Sequence, residues 1–103
     1  MALLSDVEND VFISAVSVAE ISIKRSIGKL NMAISVADLF GPLGALELDL
    51  SATHAQAVER LPLLHRDPFD RLLAAQALEE NLTLVSADDK VLAYPVRTMD
   101  ARN

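Results

Sequence analysis

The sequence lacks cysteine and tryptophan altogether, and glycine and proline fill only seven of its 103 positions. Without cysteine the chain cannot carry a disulfide framework, a zinc ribbon or a thiol nucleophile. Its four aromatic side chains are too few for a base-stacking platform. The longest apolar run has four residues, as at Leu72–Ala75, whereas a membrane span needs about 20. Because 51% of the residues are hydrophobic, the composition also excludes a disordered chain and predicts one soluble, folded domain.

Positive charge is also scarce, with 9 basic against 15 acidic residues and a formal net charge of −6. This balance argues against broad, charge-driven binding to nucleic acid. It leaves open an enzyme that reaches a phosphate through a bound cation, because such a site is itself built from carboxylates. The first residues show no basic segment followed by a long apolar core, so we expect no signal peptide and a cytoplasmic location.

The hydrophobic pattern predicts strands that alternate with helices. The predicted strands are Val11–Ser14, Ala45–Leu50, Leu82–Ser86 and Val96–Met99. The predicted helices are Ala15–Lys29, Val36–Leu43, Ser51–Leu61, Pro68 to about Glu80, and Asp89–Tyr94. This alternation favours a single α/β domain over residues 1–103, with a mostly parallel sheet and helices on both faces.

Three acidic residues lie near the beginnings of predicted helices. Glu20 follows Ser17 by three positions, as in a capping box, and Asp70 takes the third helical position behind the candidate N-cap Asp67. Asp88 follows the strand that ends at Ser86. Each acid alone is explained by helix capping, worth about 0.3–1 kcal/mol.

Considered together, the same three acids favour a shared site. Ligands of open α/β sheets bind outside the carboxyl ends of the strands, and the helices that carry Glu20 and Asp88 begin at that edge. If the fold also bends Asp70 inward, three carboxylates converge. Such oxygen ligands suit Mg²⁺ or Mn²⁺.

Three segments of the chain resemble PIN domains of the VapC toxin type. They are Phe12–Lys24, His65–Ala77 and Leu84–Asp88, of which the second, with its HRDPFDR opening, is the most specific. The resemblance implies a three-layer α/β/α fold and a Mg²⁺- or Mn²⁺-dependent endoribonuclease. It also implies a VapB-like antitoxin as partner and a homodimer.

The same resemblance assigns roles to individual residues. Glu20, Asp70 and Asp88 correspond to the family's second, third and fourth acids, which are catalytic and hold the metal, with Asp89 as a weaker substitute for Asp88. Ser86 corresponds to the hydroxyl that supports the site. Arg71, next to Asp70, is a candidate phosphate contact, with a solvated helix surface as its alternative.

The N-terminal end departs from the family's pattern. PIN domains of this type open with a strand that ends in an Asp, the first metal ligand, and this strand is central in the sheet order 3-2-1-4-5. Only ten residues precede Val11, and a parallel crossover needs a dozen or more, which also argues against Asp6 as the first ligand. We therefore expect residues 1–10 to be the end of a helix and a loop. On this interpretation the domain is N-terminally truncated, with exposed strand edges, and a mis-assigned start codon is one explanation.

Other interpretations remain open at this stage. A truncated relative could act as a non-catalytic module that binds the antitoxin or dimerises, and a generic flavodoxin-like regulatory domain is a third alternative. His54 and His65 have no partner at metal-ligand spacing and are expected at the surface.

Overall fold

The computed structural model describes residues 2–8, 10–31, 35, 38, 40–41, 44–64 and 66–102. The helix expected over Val36–Leu43 and the position of His65 lie partly or wholly outside these residues. In the part of the chain that is described, no helix is long and apolar enough to cross a membrane.

Five strands form one sheet in the order β3-β2-β1-β4-β5. They are β1 Leu3–Ser5, β2 Val11–Ser14, β3 Leu46–Leu48, β4 Thr83–Ser86 and β5 Thr98–Asp100. Four strands point the same way, because β2 pairs parallel with β3, β4 pairs parallel with β5, and β1 lies antiparallel between β2 and β4. The predicted α/β fold with a mostly parallel sheet is confirmed.

The expectation that residues 1–10 end a helix and leave the centre of the sheet vacant is wrong. Leu3–Ser5 form a strand in the central position, and Leu4 pairs with Phe12 on one side and Leu84 on the other. The turn into β2 is closed by Asp6, whose Oδ1 accepts the backbone N–H groups of Glu8 and Asp10, each at 2.9 Å. A hairpin needs far fewer residues than a parallel crossover. Ten residues therefore suffice to place a strand between β2 and β4 and to pair with the facing edges of both.

Four helices accompany the sheet in the described residues, namely α1 Ala15–Ser26, α2 Ala52–Ala57, α3 Pro68–Glu80 and α4 Asp89–Leu92, and a 3₁₀ turn at Val58–Arg60 follows α2. Helix α3 has the predicted ends, with Asp67 as N-cap, Pro68 at the first position and Asn81 as a left-handed C-cap. Helix α1 differs from the prediction. Its N-cap is Ser14, whose hydroxyl accepts the N–H of Val16, so Ser17 and Glu20 lie inside the helix and form no capping box.

Gly28 ends the α1 segment, as the sequence predicts. Its φ of +75° is in the left-handed region, where a side chain is strained. The N–H of Gly28 donates to the carbonyl of Arg25, and the N–H of Lys29 donates to the carbonyl of Lys24. These two bonds make a Schellman motif, which satisfies carbonyls that would otherwise lack partners.

The core lies mainly on one face of the sheet. Leu4 and Leu84 point to this face and are fully buried against Leu73 and the alanines of α3. Successive residues of a strand point to opposite faces of the sheet. On the second face, Ile13 of β2 packs with Ala45 in a smaller cluster. Helix α3 therefore packs across the sheet, which fixes the position of its first turn.

His54 is buried rather than exposed, which corrects the surface location expected from the sequence. Its side chain is 4% exposed. Nδ1 accepts the N–H of Ser51 at 3.0 Å, while Nε2 lies 2.8 Å from Oε1 of Glu80. His54 thus completes a capping box for α2 and joins that helix to the end of α3.

Candidate functional site

Three of the predicted acids, Glu20, Asp70 and Asp88, line one small cavity at the edge of the sheet. Asp89, the weaker substitute for Asp88, is not among the residues that line it and pairs with Arg102 at 2.6 Å. The cavity has a volume of about 140 Å³ and is lined by Ala2, Glu20, Asp70, Leu73, Ser86, Asp88 and Val91. Ser86 ends β4 and Glu20 is on the helix that follows β2, so this is the carboxyl edge where ligands of α/β sheets bind. The first turn of α3 brings Asp70 to the same place.

Asp70 is buried, with a relative exposure of 8%. The capping of α3 falls to its neighbour Asp67, whose Oδ1 accepts the N–H of Phe69 at 2.9 Å and that of Asp70 at 3.4 Å. Helix capping therefore does not explain the position of Asp70, because Asp67 is the cap of α3.

Asp88 and Ser86 form a linked pair at the end of β4. The hydroxyl of Ser86 accepts the N–H of Asp88 at 3.0 Å, which fixes the backbone at that point. Asp88 caps α4 by accepting the N–H of Lys90 at 2.9 Å, so the capping alternative holds for this residue. Its carboxylate lines the cavity as well, and the second carboxylate oxygen can serve a ligand.

Glu20 is paired with a lysine on its own helix. Nζ of Lys24 lies 2.7 Å from Oε2 of Glu20, one turn further along α1. The pKa of Lys24 is raised, first by the hydrogen bond and charge of Glu20 and to a smaller extent by the charges of Asp67 and Asp70. Lys24 is thus bound to one of the acids that line the cavity.

The described residues contain no group of three His, Asp or Glu side chains arranged to hold a metal ion. The residues around the cavity nevertheless have the donor chemistry of a Mg²⁺ or Mn²⁺ site, with three carboxylates and a hydroxyl. Glu20 is engaged by Lys24 and Asp88 by the helix it caps. The chemistry of this donor set fits a divalent cation.

Arg71 is occupied by the polypeptide that precedes α3. Its two terminal nitrogens donate to the carbonyl oxygens of Pro62 and Val58 at 3.0 and 3.1 Å. Burial raises the pKa of Tyr94, and a hydrogen bond and charge from Arg71 act in the opposite direction. Arg71 thus braces the loop beside the site, and its contact with a phosphate stays a prediction.

The sequence analysis missed one residue that lines this cavity. Ala2 lies beside Ser86 in the β1–β4 register, because the next residue, Leu3, pairs with Val85, and it lines the cavity where the resemblance implies the first acid. The pairing of Lys24 with Glu20 was also not predicted, although an acidic residue one helical turn before a lysine is the signal for it.

The comparisons with known proteins place this fold and cavity in a family. The PIN domain family matches residues 1–96. The chain belongs to the PIN domain family. PIN domains are typically metal-dependent nucleases. Searches of the curated proteins and of the solved structures found no match.

Proposed function

We propose that this PIN domain is a metal-dependent endoribonuclease of the VapC toxin type, controlled by a VapB-like antitoxin and assembled as a homodimer. The observation that carries the proposal is the convergence of Glu20, Asp70, Ser86 and Asp88 on one cavity, although they come from three separate segments of the chain. The family match supports the nuclease class, and the resemblance of residues 65–77 supports the VapC type.

Each residue would contribute a separate part of the chemistry. Glu20, Asp70 and Asp88 would hold Mg²⁺ or Mn²⁺, which when bound lowers the pKa of a water molecule and offsets charge on the scissile phosphate. Ser86 orients the Asp88 backbone through its 3.0 Å hydrogen bond. Arg71 keeps the loop over Pro62 in place beside the first turn of α3.

Metal binding provides the direct test of the site. Calorimetric titration of the chain with Mn²⁺ should show weak binding, because three carboxylates leave part of the cation's charge unmatched. Asp70→Ala should abolish this binding, whereas Asp49→Ala, an exposed acid on another segment, should leave it unchanged. Tight binding that survives Asp70→Ala would contradict the assigned ligands.

Nuclease activity is tested on a mixed RNA pool in the presence of Mn²⁺. We expect slow cleavage that Asp70→Asn removes, because the water-activating cation is then lost. A cleavage rate that does not respond to Asp70→Asn would exclude this cavity as the active site.

A second candidate function is a non-catalytic module that binds the antitoxin or dimerises. The ion pair between Lys24 and Glu20 favours this alternative, because it can persist in a module that binds no metal. Mn²⁺ binding without any RNA cleavage, together with capture of a VapB-like antitoxin, would support this alternative.

A further inference from the structure

We propose that Lys24 acts as a built-in counter-ion of the acidic cavity, which holds Glu20 while no metal is bound and must release it when a divalent cation enters. The inference rests on the proposed metal site. It adds a positioning residue that sets how tightly the site takes its cation.

The geometry of α1 supplies the first argument. Glu20 and Lys24 are one turn apart, so their side chains reach the same side of the helix, and Nζ is 2.7 Å from Oε2. The Glu20 side chain is 22% exposed and that of Lys24 is 48% exposed. The carboxylate is thus mostly enclosed at the cavity, and the ammonium approaches it from the solvent side.

Charge supplies the second argument. Lys24 is bound to Glu20, and Glu20 lines the cavity together with Asp70 and Asp88, which come from other segments of the chain. The ammonium therefore places one positive charge directly on one of the three acids of the cavity. A divalent cation in the same cavity would be repelled by that charge.

The ion pair between Lys24 and Glu20 is weak enough for a divalent cation to replace the lysine. The Lys24 side chain is nearly half exposed, and ion pairs that water reaches are weak, so a divalent cation can displace the ammonium at small cost.

The test compares Mn²⁺ affinity in matched variants by calorimetry. Lys24→Met should bind Mn²⁺ about 3- to 10-fold more tightly than the unchanged chain, because a repelling charge near the ion is removed. Lys29→Met removes an equal charge at the exposed end of the same helical segment and should change the affinity little.

The outcomes separate this inference from the proposed function. Binding that depends on Asp70 but is equal in Lys24→Met and the unchanged chain would overturn the role of Lys24 and leave the metal site intact. A gain of the same size in Lys29→Met would also overturn it, by showing a general charge effect. If no variant binds Mn²⁺, the metal site and the counter-ion role are both wrong.

Discussion

Ala2 shows how one side chain can limit a site whose other members are in place. It lines the acidic cavity at the point in the central strand where the resemblance to VapC toxins implies an acid. Its exposure is 8%, and its carbonyl lies 3.4 Å from the hydroxyl of Ser17. The position is therefore held by the backbone, and the side chain can be changed separately.

Ala2→Asp should strengthen Mn²⁺ binding by about tenfold and raise RNA cleavage, because a fourth carboxylate matches more of the cation's charge. Ala2→Asn has nearly the same shape without the charge and should change neither property. Calorimetry and the Mn²⁺-supplemented cleavage assay measure both. Equal behaviour of the two variants would show that the cavity does not lack an acid at this position.

His54 shows that a buried polar side chain can connect two helices. Replacing it with alanine removes the hydrogen bond to Ser51 and the contact with Glu80. We expect His54→Ala to lower the free energy of unfolding by about 2 kcal/mol. The exposed neighbour Thr53 on the same helix provides a control, since Thr53→Ala should change stability by less than about 0.5 kcal/mol. Urea unfolding measures the free energy of unfolding of both variants, and equal losses in the two would contradict the role of His54 in connecting α2 and α3.

Local signals predicted the individual elements well where the signal was complete in a few residues. Asp67, Pro68 and Asn81 define α3 because a cap, a fixed φ and a left-handed terminus each act within one turn. The beginning of α1 at Ala15 agrees with the prediction, but its cap does not. Ser14 and Ser17 are both residues that can cap a helix, and only the end of β2 at Ser14 decides between them.

Gln76 connects elements that the sequence pattern treats as separate. It is fully buried in α3, its Oε1 accepts the hydroxyl of Ser14, and its Nε2 lies 3.3 Å from the carbonyl oxygen of Asp49. This amide therefore connects α3 to the last residue of β2 and to the residue that follows β3. The sequence alone could not reveal it, because its partners are 62 and 27 residues away.

Gln76→Leu keeps the volume of the side chain but leaves the Asp49 carbonyl and the Ser14 hydroxyl without this partner. We expect a loss of about 2 kcal/mol in the free energy of unfolding. Gln56→Leu makes the same exchange at an exposed position of α2 and should be nearly neutral. Guanidinium denaturation measures both variants, and a neutral Gln76→Leu would show that the buried amide contributes no net stability.

At the scale of the whole molecule, the three acids line one cavity and their role as metal ligands stays a prediction, while the central strand differs from the sequence prediction. The placement of Glu20 and Asp88 at one sheet edge is predicted by a general rule of α/β sheets, and that of Asp70 by the resemblance. Strand β1, in contrast, depends on a pairing that no local pattern encodes. Leu3–Ser5 is too short for a strand signal, and Asp6 marks a turn only once its two N–H donors are in place. The direction of β1 was thus outside the reach of periodicity and spacing.

Leu4→Ala tests the placement of β1 directly. Leu4 is fully buried between β2 and β4, so the substitution should cost about 2–5 kcal/mol. Val7 lies in the turn between β1 and β2 and is 80% exposed, which makes Val7→Ala a control that should be close to neutral. Thermal unfolding distinguishes them, and a neutral Leu4→Ala would mean that residues 3–5 do not occupy the centre of the sheet.

The antiparallel central strand also sets the order in which the molecule can assemble. β1 can form its hairpin with β2 as soon as the first 14 residues are available, but its other neighbour, β4, is about 80 residues away along the chain. Contacts of such high sequence separation form slowly, because the intervening chain must lose entropy before the pairing compensates for it. During synthesis on the ribosome, the edge of β1 that pairs with β4 stays open until almost the whole domain has emerged. The acidic cavity, which lies across the β1–β4 junction, is therefore completed late in folding.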